Sequence, residues 1–166
     1  MKRTLDIVKA FEIAQNNIPK LQIIIAGDAS STYGKKVLSY IKDSKYSSSI
    51  HYFGKISKEK KVELMQKSHL IAVTSVKEGW GLIVTEANSQ GTPAVVYNVD
   101  GLRDAVKNNQ TGLVSNKNTP ESLAEKIIKI VKNPELYTTT QKNAWEWSKE
   151  INFENSYKVF RNLLLQ

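Results

Sequence analysis

Short apolar, β-branched runs recur along this sequence, and helical stripes lie between them. Leu21-Gln22-Ile23-Ile24-Ile25-Ala26-Gly27 is the first run, and its branching and closing glycine predict a buried strand. Ile50 to Gly54, Leu70 to Ser75, Pro93 to Tyr97 and Gly112 to Ser115 predict further strands. Ahead of the first strand, Leu5, Val8, Ala10, Phe11, Ile13 and Ala14 form a helical stripe. Ser57 stands as the N-cap of a helix carrying Val62, Leu64 and Met65. Thr119-Pro120-Glu121 starts another, with a capping threonine and proline at the first helical position. That helix is expected to turn Leu123, Ala124, Ile127, Ile128 and Val131 inward and to stop near Asn133-Pro134.

Buried strands alternating with helices predict a doubly wound, Rossmann-like α/β domain, with a parallel sheet and helices on both faces. From Pro134 onward the pattern is helical only. Residues 134–166 read as a helical tail bearing Phe153, Tyr157, Val159, Phe160, Leu163 and Leu164. Trp145, Trp147 and Phe153 are expected to pack those helices together. No repeat or linker divides the chain, so residues 1–166 read as one domain. A helix ahead of the first strand and an apolar tail are features expected of a piece of a longer protein.

Composition narrows the function classes. The chain has no cysteine, which removes disulfides, thiolate catalysis and Cys-ligated metal, and fits a reducing, cytoplasmic setting. With His51 and His69 as the only histidines, a His-rich zinc site is not expected. The net charge of +8 favours an anionic partner: a phosphorylated small molecule, an anionic membrane face or a polyanion. Basic residues are dispersed, with small groups at Lys35-Lys36 and Lys58 to Lys61, and no basic stripe interleaved with aromatics points to nucleic acid. The first strand-to-helix turn lacks the dinucleotide fingerprint of a dehydrogenase.

Ligands of open α/β sheets bind at the carboxyl ends of strands, where glycine turns enter helices. Gly27-Asp28-Ala29-Ser30, Glu78-Gly79-Trp80-Gly81 and Asp100-Gly101-Leu102-Arg103 are such turns, expected to share one rim. In the middle turn, Gly79 and Gly81 permit tight geometry and close ligand approach. The following helix would aim its N-terminal amides at a phosphate. Glu78 and Glu86 would repel that phosphate, so their expected role is to accept hydrogen bonds from sugar diols.

Glu78 to Glu86 resembles the E-x7-E signature of the retaining glycosyltransferases of GT-B architecture, the large group 1 family. The likeness continues through Glu86-Ala87-Asn88-Ser89-Gln90-Gly91-Thr92-Pro93, Asp100-Gly101-Leu102-Arg103, Thr111-Gly112-Leu113-Val114 and the Thr119-Pro120 helix start. Upstream, Phe53-Gly54-Lys55-Ile56-Ser57 is similar to another family turn. The ordered series covers nearly the whole chain.

This resemblance implies one half of a two-domain enzyme, the half that binds a UDP- or GDP-sugar donor. An acceptor domain of the same protein would be its partner, and polysaccharide or lipid-linked glycan synthesis its setting. It implies that Glu78 holds the donor sugar and that Lys2 neutralises the diphosphate leaving group, without a metal or other cofactor. Amides around Gly79, Trp80, Gly81 and Leu82 would meet sugar and diphosphate, and Glu86 the ribose. Gly54, Lys55 and Ile56 would line the base pocket. The chain departs from the family at Thr74, where proline is usual, at Asp100, where glycine is common, and at Trp80, where phenylalanine is commoner. A different class of reading is a non-catalytic nucleotide- or polyanion-binding module, which the basic charge alone would support.

Overall fold

The computed structural model describes residues 2–165. In chain order its elements are α1 (Thr4–Gln15), β1 (Ile23–Ile25), α2 (Thr32–Asp43), a 3-10 turn (Ser47–Ser49), β2 (Ile50–Tyr52), α3 (Lys58–Lys67), β3 (Ile71–Val73), α4 (Leu82–Ser89), β4 (Ala94–Val96), β5 (Gly112–Val114), α5 (Pro120–Val131), α6 (Pro134–Glu150) and α7 (Phe153–Leu164). Each predicted strand contains an observed one, shortened to three residues. The predicted caps form: the Ser57 hydroxyl accepts from the Lys60 amide at 3.2 Å, and Thr119 Oγ1 from the Ser122 amide at 3.4 Å. Helix α2 has no counterpart among the predicted helices, because it buries only Val37 and Ile41.

All strand pairs are parallel, as expected of a doubly wound domain, but the ladder is in two pieces. β1 pairs with β2, and β4 lies between β3 and β5. Two apolar clusters match the two sheets. Val8, Phe11, Val37, Ile41 and Ile50 form the smaller, with Ile23 and Ile25 against it. The larger is built from β4, β5, α5 and the other side of α1 through Ala10 and Ala14. Helix α1 therefore spans the seam, turning different residues to each cluster.

Burial corrects the expected pattern in three places. β1 is not buried on both faces: Ile23 and Ile25 face α1 and α2, while Ile24 between them is 41% exposed. In α5, Ile130 is fully buried and Ile128 and Val131 are only partly so. Trp145 and Phe153 do not pack the tail. Phe153 is 95% exposed, α7 buries no residue, Trp145 is 45% exposed, and of these three aromatic residues Trp147 alone meets another ring, that of Trp80 at 6.4 Å. Among the described residues nothing is laid over the apolar face of α7, so its period-3.6 pattern produces an exposed surface.

Candidate functional site

The carboxyl end of β3 carries Thr74, Ser75 and then the Glu78 turn. Residues 2 and 3 run back along this end: Lys2 and Ser75 form an antiparallel bridge, and the Arg3 amide donates to the Thr74 carbonyl at 3.3 Å. This places the Lys2 ammonium in an ion pair with Glu78, across 76 residues of sequence. The Glu78 carboxyl is held below its ordinary value of 4.5, chiefly by Lys2. The Ser75 hydroxyl close by is buried and has no hydrogen-bond partner among the described residues.

The Asp100 turn buttresses the Glu78 turn. The Glu78 amide donates to the Asp100 carbonyl at 3.3 Å, and the Gly81 amide to the Gly101 carbonyl at 2.9 Å. Gly101 is the residue on which the tight packing depends. Its φ is +76°, and a β-carbon there would lie 2.3 Å from the Glu78 carbonyl oxygen. Gly79 has no such constraint: a β-carbon would meet nothing within 4 Å. The expectation of tight backbone at Gly79 therefore shifts to Gly101, and Gly79 keeps only the openness that a close-approaching ligand needs. Asp100 turns its side chain to Arg103.

Two of the expected donor amides are already engaged. Gly81 donates to Gly101, and Leu82 donates to the Trp80 carbonyl at 2.8 Å. The Gly79 and Trp80 amides donate to no oxygen among the described residues, and Gly81 caps α4 without a side-chain hydrogen bond. The Trp80 indole is fixed by its Nε1, which donates to Thr85 Oγ1 at 3.0 Å, and by Trp147.

Glu86 is exposed on α4 and accepts from Lys61 Nζ of α3 at 2.8 Å. Lys61, the partner of candidate Glu86, is not singled out by sequence reasoning; it belongs to the basic group Lys58 to Lys61, whose composition is that of an ordinary solvated face. A second cluster lies at the ends of β1 and β2. The Gly27 amide donates to the Gly54 carbonyl at 2.8 Å, the Tyr52 hydroxyl donates to the Gly27 carbonyl at 2.8 Å, and Lys55 pairs with Asp28 at 3.0 Å. The Ser30 amide, 2.8 Å from Oδ1, and then the Lys55 ammonium hold the Asp28 pKa down to about 2. Ile56 is half-buried beside this cluster's turn. The Gly27 turn thus joins Gly54 and Lys55, the Asp100 turn joins Glu78, and the Lys61–Glu86 pair spans α3 and α4.

Against this geometry, the family described as glycosyl transferases group 1 matches residues 1–147. The chain belongs to that family. An uncharacterised glycosyltransferase of Methanocaldococcus jannaschii is 31% identical over 120 residues, covering 72% of this chain and 34% of that protein. The poly(glycerol-phosphate) alpha-glucosyltransferase of Bacillus subtilis is 29% identical over 156 residues, 93% of this chain and 23% of that protein. The chain thus spans about a third or less of the length of these two relatives. Among solved structures, S. aureus TarM in complex with UDP superimposes with a TM-score of 0.83 at 20% identity, over 99% of this chain and 32% of TarM. Anabaena HepE in complex with UDP and glucose gives 0.81 at 21% identity, over 95% of this chain and 43% of HepE. These likenesses show that this group 1 chain has the expected Rossmann-like fold of the GT-B glycosyltransferases. No helix among the described residues is long and apolar enough to cross a membrane.

Proposed function

We propose that this chain is the donor-binding part of a retaining glycosyltransferase that takes its sugar from a nucleotide diphosphate sugar and passes it to a glycan or lipid-linked acceptor. The observation that carries the reading is the Lys2–Glu78 pair at the head of β3, beside the open Gly79 turn and the N-terminus of α4. Family membership and the UDP present in the TarM and HepE structures support it.

On this reading Glu78 accepts hydrogen bonds from hydroxyls of the donor sugar. Lys2 meets the diphosphate and stabilises the charge that gathers on it as the glycosidic bond breaks. The Gly79 and Trp80 amides, with the positive end of the α4 dipole behind them, are the donors available to the phosphates or the sugar. The Gly81 and Leu82 amides line this surface but are spent on the turn itself. Glu86 takes the ribose diol, and Gly54, Lys55 and Ile56 flank the base. No metal takes part, since fixed lysine charge does that work. The acceptor site belongs to the rest of the protein, and the exposed apolar face of α7 and Trp145 suit contact with such a partner. The +8 charge also suits an anionic membrane face near a lipid-linked acceptor.

Calorimetric titration with UDP- and GDP-sugars tests the reading. The wild-type chain is expected to bind one class, and Glu86→Ala to bind it about tenfold more weakly, a loss of about 1.4 kcal/mol. No nucleotide binding at all, or equal binding by the variant, would defeat it. The chain on its own is expected to bind without turnover, so robust glycosyl transfer by it would refute the assignment of the acceptor site elsewhere.

A further inference from the structure

Thr74 stands where the family it resembles has proline, and it makes a contact for which proline has no atom. Its side chain is almost wholly buried, and its hydroxyl donates to the Arg3 carbonyl at 2.9 Å. Its own carbonyl accepts the Arg3 amide at 3.3 Å, so the two residues are joined through both peptide groups of Arg3. Arg3 is held from the other side as well. Its guanidinium pairs with Asp6 at 2.7 Å, donates to the Asn118 carbonyl at 3.3 Å and lies 5.3 Å from the centre of the Tyr97 ring. The residue before this clamp is Lys2.

We propose that Thr74 is a positioning residue, which by holding the Arg3 carbonyl fixes the main chain of Lys2 so that its ammonium stands against Glu78. The physical need is plain. The Lys2 side chain is 65% exposed, and its flexible stem has many rotamers. An ion pair of that kind is weak and dispersed unless its root is fixed. Thr74 fixes the root, beside Ser75, whose main chain bridges Lys2 itself. Replacing the hydroxyl by a methyl would leave the Arg3 carbonyl without its side-chain donor, in a site that water enters poorly.

The inference rests on the reading of Lys2 and Glu78 as a working pair, but its test involves no donor. Carbon-detected NMR titration of the Glu78 carboxyl is carried out in wild type, Thr74→Val and Thr74→Ser. Among the described residues Lys2 is the one charged side chain paired with Glu78, so Lys2→Gln sets the scale of its effect. Wild type is expected to titrate below the ordinary 4.5, as the structure has it. Thr74→Val should move the midpoint up toward the Lys2→Gln value, and Thr74→Ser, which keeps the hydroxyl, should hold it down. A folded Thr74→Val protein, verified by its amide spectrum, with an unmoved Glu78 midpoint would overturn the proposal. A purely structural role would lower stability and leave that titration where it was. If Thr74→Val does not fold, Thr74→Ala decides in its place: a midpoint raised toward the Lys2→Gln value supports the proposal, and an unmoved one overturns it. A chain that bound no nucleotide sugar would leave this result standing, and an unmoved midpoint would leave donor binding standing.

Discussion

Gly101→Ala is the sharpest test of how the Glu78 turn is built. Alanine at φ +76° sits in the left-handed region, at a cost of about 1–2 kcal/mol. Its methyl group would also lie 2.3 Å from the Glu78 carbonyl oxygen and 2.6 Å from the carbonyl carbon, both main-chain atoms that no rotamer change can move. Relief requires the two turns to separate, which strains or breaks the Glu78–Asp100 and Gly81–Gly101 bonds, worth about 0.5–1.5 kcal/mol each. Against this, alanine restricts the unfolded chain, a gain of about 0.4–1 kcal/mol. The net expectation is a loss of about 2–4 kcal/mol, or a fall in Tm of roughly 5–15 °C for a chain of this size. Urea and thermal unfolding measure it, with Gly79→Ala as the control. That control has open space and no positive φ, and should unfold within about 0.5 kcal/mol of wild type while weakening donor binding. A Gly101→Ala protein as stable as wild type would refute the account of the turn.

Two further predictions concern the surface. Asp28 has a folded pKa of about 2 against an ordinary 3.8, so its stabilisation is full above pH 3.8 and is lost as pH falls toward 2. Asp28→Asn should flatten the melting temperature across that window at low salt, and the difference should shrink in high salt because the Asp28–Lys55 pair lies at the surface; equal slopes would contradict it. Ending the chain at Ile151 removes α7, which buries no residue, and should change the unfolding free energy by less than about 0.5 kcal/mol; a larger loss in urea titration would show that α7 packs on the domain.

What was legible in the sequence follows from which signals are local. Strand cores, the Ser57 and Thr119 caps and the Pro134 boundary are written in neighbouring residues, and they appear where expected. The exposure of Ile24 and of the α7 face was not legible, because an apolar residue carries no mark of whether anything packs on it. Gly79 and Gly101 look alike in sequence, yet only Gly101 has a carbonyl pressed against it from a turn 23 positions away by number. Lys61 reads as one more surface lysine until α3 is laid beside α4. Thr74 reads as a neutral replacement until Arg3 is brought against it.

The proposed donor site sets two carboxylates beside a diphosphate, and the lysine pairs give that arrangement a physical resolution. Glu78 and Glu86 would each repel phosphate if bare, but Lys2 neutralises one and Lys61 the other. Both pairs are partly exposed, and pairs of that kind are worth only about 0–1 kcal/mol, so an arriving diphosphate can draw a lysine away at little cost. Charge-assisted bonds to phosphate are roughly twice as strong as neutral ones. On the proposed reading, the exchange has a second effect. As the Lys2 ammonium turns to the diphosphate, Glu78 regains acceptor capacity for a sugar hydroxyl at the moment the sugar arrives. Glu86 gains the same capacity for ribose when Lys61 swings aside. On that reading both lysines place their carboxylates beforehand, and the proposed Thr74–Arg3 clamp keeps Lys2 close enough to serve both partners in turn.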